Sequence, residues 1–249
     1  MRVDGVLFDI DDTLVDTRGA FVHALSGVAR RWLPDLPAER HDELVTVWRA
    51  DVGGHYAAYT RGDVGYTEQR MARANELHER FGGPALDDDG FARWDRTFEA
   101  EFSGAWFAHP DVDAVVDRLL DAGLAVGALS NASVAYQTRK LEHAALLDRV
   151  PMLVGVDTLG FGKPHPQTFL EACRRLGTEP ERTAYVGDEL DVDAVGAVGA
   201  GLIGVWLDRP DGRRRAISAI EIGSAHDAGV LRIDSLSKVP EALGIDLAT

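Results

Sequence analysis

Two aspartates separated by one residue, Asp9 and Asp11, close the apolar run Val6, Leu7 and Phe8 near the start of the chain. Asp12 and Thr13 follow, then the apolar Leu14 and Val15. Acids delivered by an apolar strand in this way lie just past its carboxyl end, where open α/β sheets keep their ligands. The three carboxylates of Asp9, Asp11 and Asp12 repel one another and raise each other's proton affinity unless a cation joins them. Asp9 and Asp11 offer hard oxygen ligands of the kind Mg²⁺ takes, with water and a substrate phosphate completing its shell. One aspartate can also act as a nucleophile toward phosphorus. A second can protonate the leaving group and later activate water. A strand that merely ends in a solvated acidic turn would read the same at this point, and three later segments weigh against that reading.

The first of these is Ser130-Asn131, after the apolar stretch Leu124 to Leu129 and before a helical pattern. A hydroxyl and an amide there are donors suited to phosphate oxygens, although Ser-Asn also caps helices without further purpose. The second is Gly160-Phe161-Gly162-Lys163-Pro164-His165-Pro166, in which Lys163 can neutralise both the acids and a transferring phosphoryl group. His165 reads as an exposed loop residue. The third is Gly187-Asp188-Glu189-Leu190-Asp191-Val192-Asp193, a second acidic turn after an apolar stretch, Thr183 to Val186. Asp188 can complete a metal site with Asp9 and Asp11, and Asp193 can hold Lys163 or a metal-bound water in place. Asp191 reads as a helix-dipole acid. Acids, Ser-Asn, Lys and acids again each follow a candidate parallel strand or open the next helix, and coincidence at all four is improbable.

The elements that must position these groups alternate from His109 onward. Val112, Val115, Val116, Leu119 and Leu120 stripe a helix. Strands are expected over 124–129, 152–154, 183–186, 202–207 and 230–233, with helices over 134–145, 166–176, 191–200 and 236–243. Pro166 at a helix start and Gly177 just past its end follow the usual asymmetry. The alternation implies a parallel sheet with helices on both faces. Between Asp16 and Gly104 the period is helical instead. Four stripes are visible there: Phe21-Leu25-Val28-Trp32, Leu44-Val47-Trp48, Met71-Ala74-Leu77-Phe81 and Phe91-Trp94-Phe98-Phe102. The expected fold class is therefore α/β, a Rossmann-like parallel-sheet core (residues 1–15 and 105–249) with an inserted α-helical cap domain (16–104). An insertion directly after the first acidic turn is placed to act as a lid.

Composition narrows the partners. The 249 residues carry a net charge of −15, and no basic footprint for nucleic acid is visible. Arg213, Arg214 and Arg215 form the tightest basic run and read as a solvated loop. The single cysteine, Cys173, rules out an intramolecular disulfide and falls with Phe169, Leu170 and Leu176 on a core face. No apolar run reaches membrane-spanning length and no secretory leader is visible, so a cytoplasmic enzyme without a membrane partner, monomeric or homodimeric, is expected.

The order of these segments resembles the haloacid dehalogenase (HAD) superfamily, in the branch whose helical cap is inserted after the first motif. Asp9-Ile10-Asp11-Asp12-Thr13 matches its DxDxT motif, Ser130-Asn131 the second, Lys163-Pro164 the third and Gly187-Asp188 through Asp193 the fourth. The resemblance implies Asp9 as nucleophile and Mg²⁺ ligand, Asp11 as general acid/base that also meets the metal, and Asp188 as a metal ligand. It implies that Ser130 and Lys163 hold the phosphoryl group, with Asn131 beside them at the substrate and Thr13 and Asp193 in support. Dehalogenases of this branch generally lack an acid at the position of Asp11, so its presence favours phosphate esters. The family's phosphonate hydrolases use a cap lysine, and residues 16–104 contain no lysine. Glu189, Val192 and His165 depart from the common pattern. The expectation is a Mg²⁺-dependent phosphatase of a small phosphorylated metabolite, working through an aspartyl-phosphate. The alternatives are a phosphomutase of the β-phosphoglucomutase type and a non-enzymatic binding protein on the same fold. Cap arginines such as Arg18, Arg49, Arg61, Arg70 or Arg73 are candidates to meet a second anionic group on the substrate.

Overall fold

The computed structural model describes residues 2–210, 212–213 and 215–245. The chain divides into two compact units, Met1–Asp16 with Phe107–Thr249, and Thr17–Trp106. Arg214 of the basic run lies outside the described residues.

The first unit is built on six parallel strands: β1 (Gly5–Phe8), β2 (Ala125–Leu129), β3 (Met152–Val154), β4 (Thr183–Gly187), β5 (Ile203–Leu207) and β6 (Leu231–Ile233). Their order is β3-β2-β1-β4-β5-β6, so the strand that carries the first acids is central. Every residue of β1 and β4 is buried, as strands covered on both faces require. The register pairs Phe8 with both Ala128 and Val186, so β1, β2 and β4 run out together at one edge of the sheet. Asp9, Ser130 and Asp188 all follow directly from these strand ends. Against one face pack Phe169, Ala172 and Cys173 of the helix Pro166–Leu176, with Leu7, Leu129, Val154 and Tyr185 beneath them. Cys173 is thus a core residue, and burial pushes its thiol above the ordinary range.

Three local departures from the expected elements have physical causes. The helix expected over 191–200 is instead a wide π-helical turn, Leu190–Val195, followed by Gly196–Gly199. The turn is widened where the Asp193 carboxylate folds back to accept the Glu189 amide at 2.9 Å. Near the end of the chain, the expected helix splits into a tight turn, Leu236–Lys238, and a short helix, Val239–Ala242. The helix Ala219–Asp227 has no apolar stripe to announce it and buries only Ala225, but Ser218 and Glu221 form a capping box at its start.

The second unit comprises helices Thr17–Trp32, His41–Ala50, His55–Thr60, Tyr66–Phe81 and Asp88–Ser103. Its centre is aromatic. Trp94 is fully buried, with Phe98 stacked 5.3 Å away and Trp48 at 5.8 Å. Two of the candidate substrate arginines are engaged inside this unit. Arg70 donates to Asp95 and to the Tyr66 hydroxyl at 2.6 Å each, pairs with Glu99, and lies over the Phe98 ring. Arg73 lies 4.1 Å over the Trp48 ring.

In the sheet unit, Asp111 ties three distant segments together. Its carboxylate accepts both arms of the Arg209 fork at 2.8 and 2.9 Å, the Ser235 hydroxyl at 2.8 Å and the Leu236 amide at 2.9 Å. Burial alone would push Asp111 up, but these donors outweigh it and bring it down to about 2 from 3.8. The stabilisation is therefore complete above pH ~4 and is lost as pH falls toward ~2. Asp111→Asn is expected to cost about 1–2 kcal/mol at neutral pH and to flatten the acid limb of stability between those values, as measured by urea unfolding across pH.

Candidate active site

Asp9 leaves β1 with its amide bonded to the Val186 carbonyl of β4 at 2.8 Å, which fixes it at the seam between two central strands. The chain then turns sharply. Leu14 and Val15 both donate to the Ile10 carbonyl, at 3.0 and 2.9 Å, and Asp12 takes a left-handed conformation with φ 60°. Aspartate tolerates that region better than most side chains. Inside the turn, the Thr13 hydroxyl is buried without a hydrogen-bond partner, while its carbonyl accepts Arg209 at 3.2 Å.

Lys163 is the electrostatic centre. Its side chain is 4% exposed, and its ammonium donates at 2.7 Å to each of Asp9 Oδ1, Asp193 Oδ1 and Tyr185 Oη. All three N–H bonds are used, as a buried ammonium requires. Burial works against its charge, but Asp193 and Asp9 more than compensate and hold the lysine protonated, well above its ordinary range. The Tyr185 hydroxyl in turn donates to the Leu129 carbonyl at 2.9 Å. The lysine backbone is fixed as well: Asn131 accepts its amide at 2.6 Å and donates to its carbonyl at 2.9 Å. Both ends of the Asn131 amide are thereby committed to the loop. His165 caps the next helix, accepting the Gln167 amide at 3.3 Å, and is exposed.

A second group surrounds Asp11. Its Oδ1 pairs with the buried Lys140, and its Oδ2 accepts Gln137 Nε2 at 2.6 Å. The same Nε2 donates to Ser130 Oγ at 2.8 Å, and the Ala132 amide donates to that oxygen at 3.2 Å. Two accepted bonds fix the Ser130 oxygen and leave its hydroxyl proton to be donated elsewhere. Gln137 and Lys140 stand one turn apart on the inward face of the helix Val134–His143.

Asp9, Asp188 and Asp193 place carboxylate oxygens within 4.8 Å of one another. Burial, then the charges of Asp193, Asp9, Asp12 and Glu189, push Asp188 well above the usual carboxylate range. Burial is also the main reason Asp9 stands at about 8 despite its contact with Lys163. A cluster of hard oxygens with more negative charge than one lysine balances is the donor set that suits Mg²⁺. Both oxygens of Asp193 are already engaged, by Lys163 and by the Glu189 amide. Asp9 Oδ2 and the Asp188 carboxylate carry no such bonds and are the groups able to turn to an ion. The Asp11 carboxylate stands outside this cluster.

The profile of haloacid dehalogenase-like hydrolases matches residues 3–201, most of the chain. The chain belongs to this family. Among curated HAD relatives, a glyceraldehyde 3-phosphate phosphatase of Methanopyrus kandleri is 37% identical over 101 residues, a match that spans 41% of this chain and 43% of that protein. A phosphoglycolate phosphatase of Salmonella paratyphi A is 26% identical over 231 residues, covering 89% and 88% of the two chains. The L-2-haloacid dehalogenase PA0810 shares the fold with a TM-score of 0.74 and 24% identity over 98% of this chain and all of that one.

Of the residues singled out in the sequence, the structure brings Asp9, Lys163, Asp188 and Asp193 into one cluster, and Asp11 and Ser130 into an adjoining one. Asn131 serves the Lys163 loop. Three residues of this HAD site were not visible to motif reading: Tyr185, Gln137 and Lys140. Tyr185 shares a strand face with Thr183 and Gly187 in a run that looks merely apolar. Gln137 and Lys140 left a fainter sign, polar residues three apart beside the core residue Leu141.

Gly187 makes the first cluster possible, because a Cβ there would stand 2.4 Å from Asp193 Cγ. Gly187→Ala is expected to push Asp193 off Lys163 and to destabilise the fold by about 1–3 kcal/mol in denaturant titrations. An unchanged midpoint would show that Asp193 can move without loss.

Proposed function

We propose that this HAD-family protein is a Mg²⁺-dependent phosphatase of a small phosphorylated metabolite, with Asp9 as nucleophile and Asp11 as general acid and base. The observation that carries the reading is the Asp11 carboxylate, which is held by Gln137 and Lys140 in the same hydrogen-bonded group as Ser130. Displacement of halide from carbon needs no proton donor for the leaving group, whereas displacement of an alcohol from phosphorus does. The phosphatase names of the Methanopyrus and Salmonella relatives point the same way.

The chemistry follows from the positions. Asp9 has two carboxylate oxygens for two tasks, one to attack phosphorus and one to meet the cation, with the Lys163 ammonium beside them at Oδ1. As the new O–P bond forms, the bond from phosphorus to the ester oxygen breaks. That oxygen keeps the electron pair and takes a proton from Asp11. In the second half a water gives its proton to Asp11 and attacks the aspartyl-phosphate, which releases inorganic phosphate and restores the Asp9 carboxylate. Ser130 offers its free hydroxyl proton to a phosphoryl oxygen, and Lys163 adds positive charge beside the reacting centre. Asp9 and Asp188 would hold the Mg²⁺, which supplies further charge neutralisation at the phosphoryl oxygens when bound. Among the described residues no helix is long and apolar enough to cross a membrane.

The deciding experiment is phosphate release from a panel of phosphorylated metabolites, with Mg²⁺ and with chelator. Release should require the cation, and Asp9→Asn should reduce it on the order of 10⁴-fold or more. Retained activity in that variant would remove Asp9 as nucleophile, and isomerised sugar phosphate in place of free phosphate would mean a mutase. Because Asp9 stands at about 8, a cation must displace its proton at neutral pH. Mg²⁺ affinity measured by calorimetry should therefore rise as pH is raised from 6 toward 8, with proton release, and a pH-independent affinity would count against Asp9 as a ligand.

A further inference from the structure

Lysine is scarce in this chain. Of its 26 basic residues only Lys140, Lys163 and Lys238 are lysines, and the rest are arginines. Two of the three are buried at the carboxyl edge of the sheet, with side chains 2% and 4% exposed for Lys140 and Lys163. A buried ammonium is a compact point charge whose three donors must each find a partner. The Lys163 group is accounted for above. Lys140 is a second buried ammonium, and it is committed to Asp11, whose own side chain remains 37% exposed.

We propose that Gln137 and Lys140 are positioning residues that fix the Asp11 carboxyl group for proton transfer to the leaving oxygen. The proposal rests on the phosphatase reading above. A proton donor must stand within hydrogen-bond reach of the atom it serves, and a carboxyl group at the end of two rotatable bonds has no such fixed place by itself. Here each oxygen has its own restraint, Lys140 on Oδ1 and Gln137 on Oδ2. The Gln137 amide has one workable orientation: its Nε2 serves both Asp11 and Ser130, whereas its buried Oε1 has no partner and would repel the carboxylate if the group were turned over. One rigid amide therefore sets the distance between the proton-handling carboxyl group and the hydroxyl offered to phosphate.

The test compares leaving groups. First-turnover release is measured with Mg²⁺ on phenyl phosphate, whose leaving oxygen needs a proton, and on 2,4-dinitrophenyl phosphate, whose phenolate departs unassisted. In Lys140→Met the phenyl ester should slow about 100-fold, while KM and the dinitrophenyl ester's first turnover change by less than about threefold. Gln137→Met, which leaves the charge balance intact, should show a smaller loss with the same dependence on leaving group. Equal losses on both esters, or none, would overturn the positioning role. If circular dichroism shows Lys140→Met unfolded, Gln137→Met decides alone. Wild-type protein that hydrolyses neither ester would overturn the phosphatase reading and this role with it. An active wild type whose variants ignore the leaving group would overturn the positioning role and leave the phosphatase reading standing.

Discussion

The ammonium of Lys163, enclosed by Asp9, Asp193 and Tyr185, is the contact on which the rest of the sheet unit's site depends. Removing any partner would leave a buried charge short of a hydrogen bond, a loss of several kcal/mol in such surroundings. The surrounding backbone is shaped to prevent that. Gly187 admits the Asp193 side chain from below, and Gly162 admits Asn131, whose Oδ1 would lie 2.2 Å from a Cβ at that position. Asn131 then fixes the lysine backbone. Gly204 lets the Ala194 carbonyl approach β5 closely and so seats the wide turn that carries Asp193. Three glycines in different strands and loops thus converge on one nitrogen atom.

Charge balance gives the arrangement its chemical direction. Lys163 is offset by Asp9 and Asp193 before Asp188 is counted, and burial makes each of these acids reluctant to ionise. A cluster with this surplus is stable in its charged form only when a cation joins it. In the aromatic unit the buried Arg70 also meets two carboxylates, but Asp95 and Glu99 both reach solvent, and ring faces cover the guanidinium. The difference lies in the acids: those around Lys163 are buried with their charge, whereas those around Arg70 are relieved by water.

The parallel sheet was legible because its strands are continuous apolar runs that end in chemically distinctive residues. Asp9, Ser130 and Asp188 each close such a run, and the strands they close, β1, β2 and β4, are neighbours in the sheet. What escaped had no period or no chemistry of its own. Val156–Leu159 is four residues long, too short to repeat. Ala219–Asp227 is held by its cap and not by a buried stripe, so the Ser218–Glu221 box was its one readable signal. Asn131 stands where motif reading put a phosphate donor, yet both ends of its amide serve the Lys163 backbone. The spacing of a motif fixes where a residue stands along the chain, whereas the backbone that Asn131 bonds belongs to another motif.

Asp9 and Asp11 show how far that difference reaches. They are the same residue type, two positions apart, and opposite in surroundings. Asp9 is buried and bonded through one oxygen to a lysine shared with another acid, so its second oxygen is free but its charge is disfavoured. Asp11 reaches solvent and has both oxygens restrained, by a lysine that serves it and by an amide that also holds Ser130. A free oxygen in a place that a cation can render ionic suits attack on phosphorus. A restrained carboxyl group at the water-facing side suits repeated exchange of one proton with a leaving group and then with water. The two proposed roles need not be written into the residues themselves. They follow from which side of the first turn each carboxylate leaves, and the sheet register together with the helix Val134–His143 decides that.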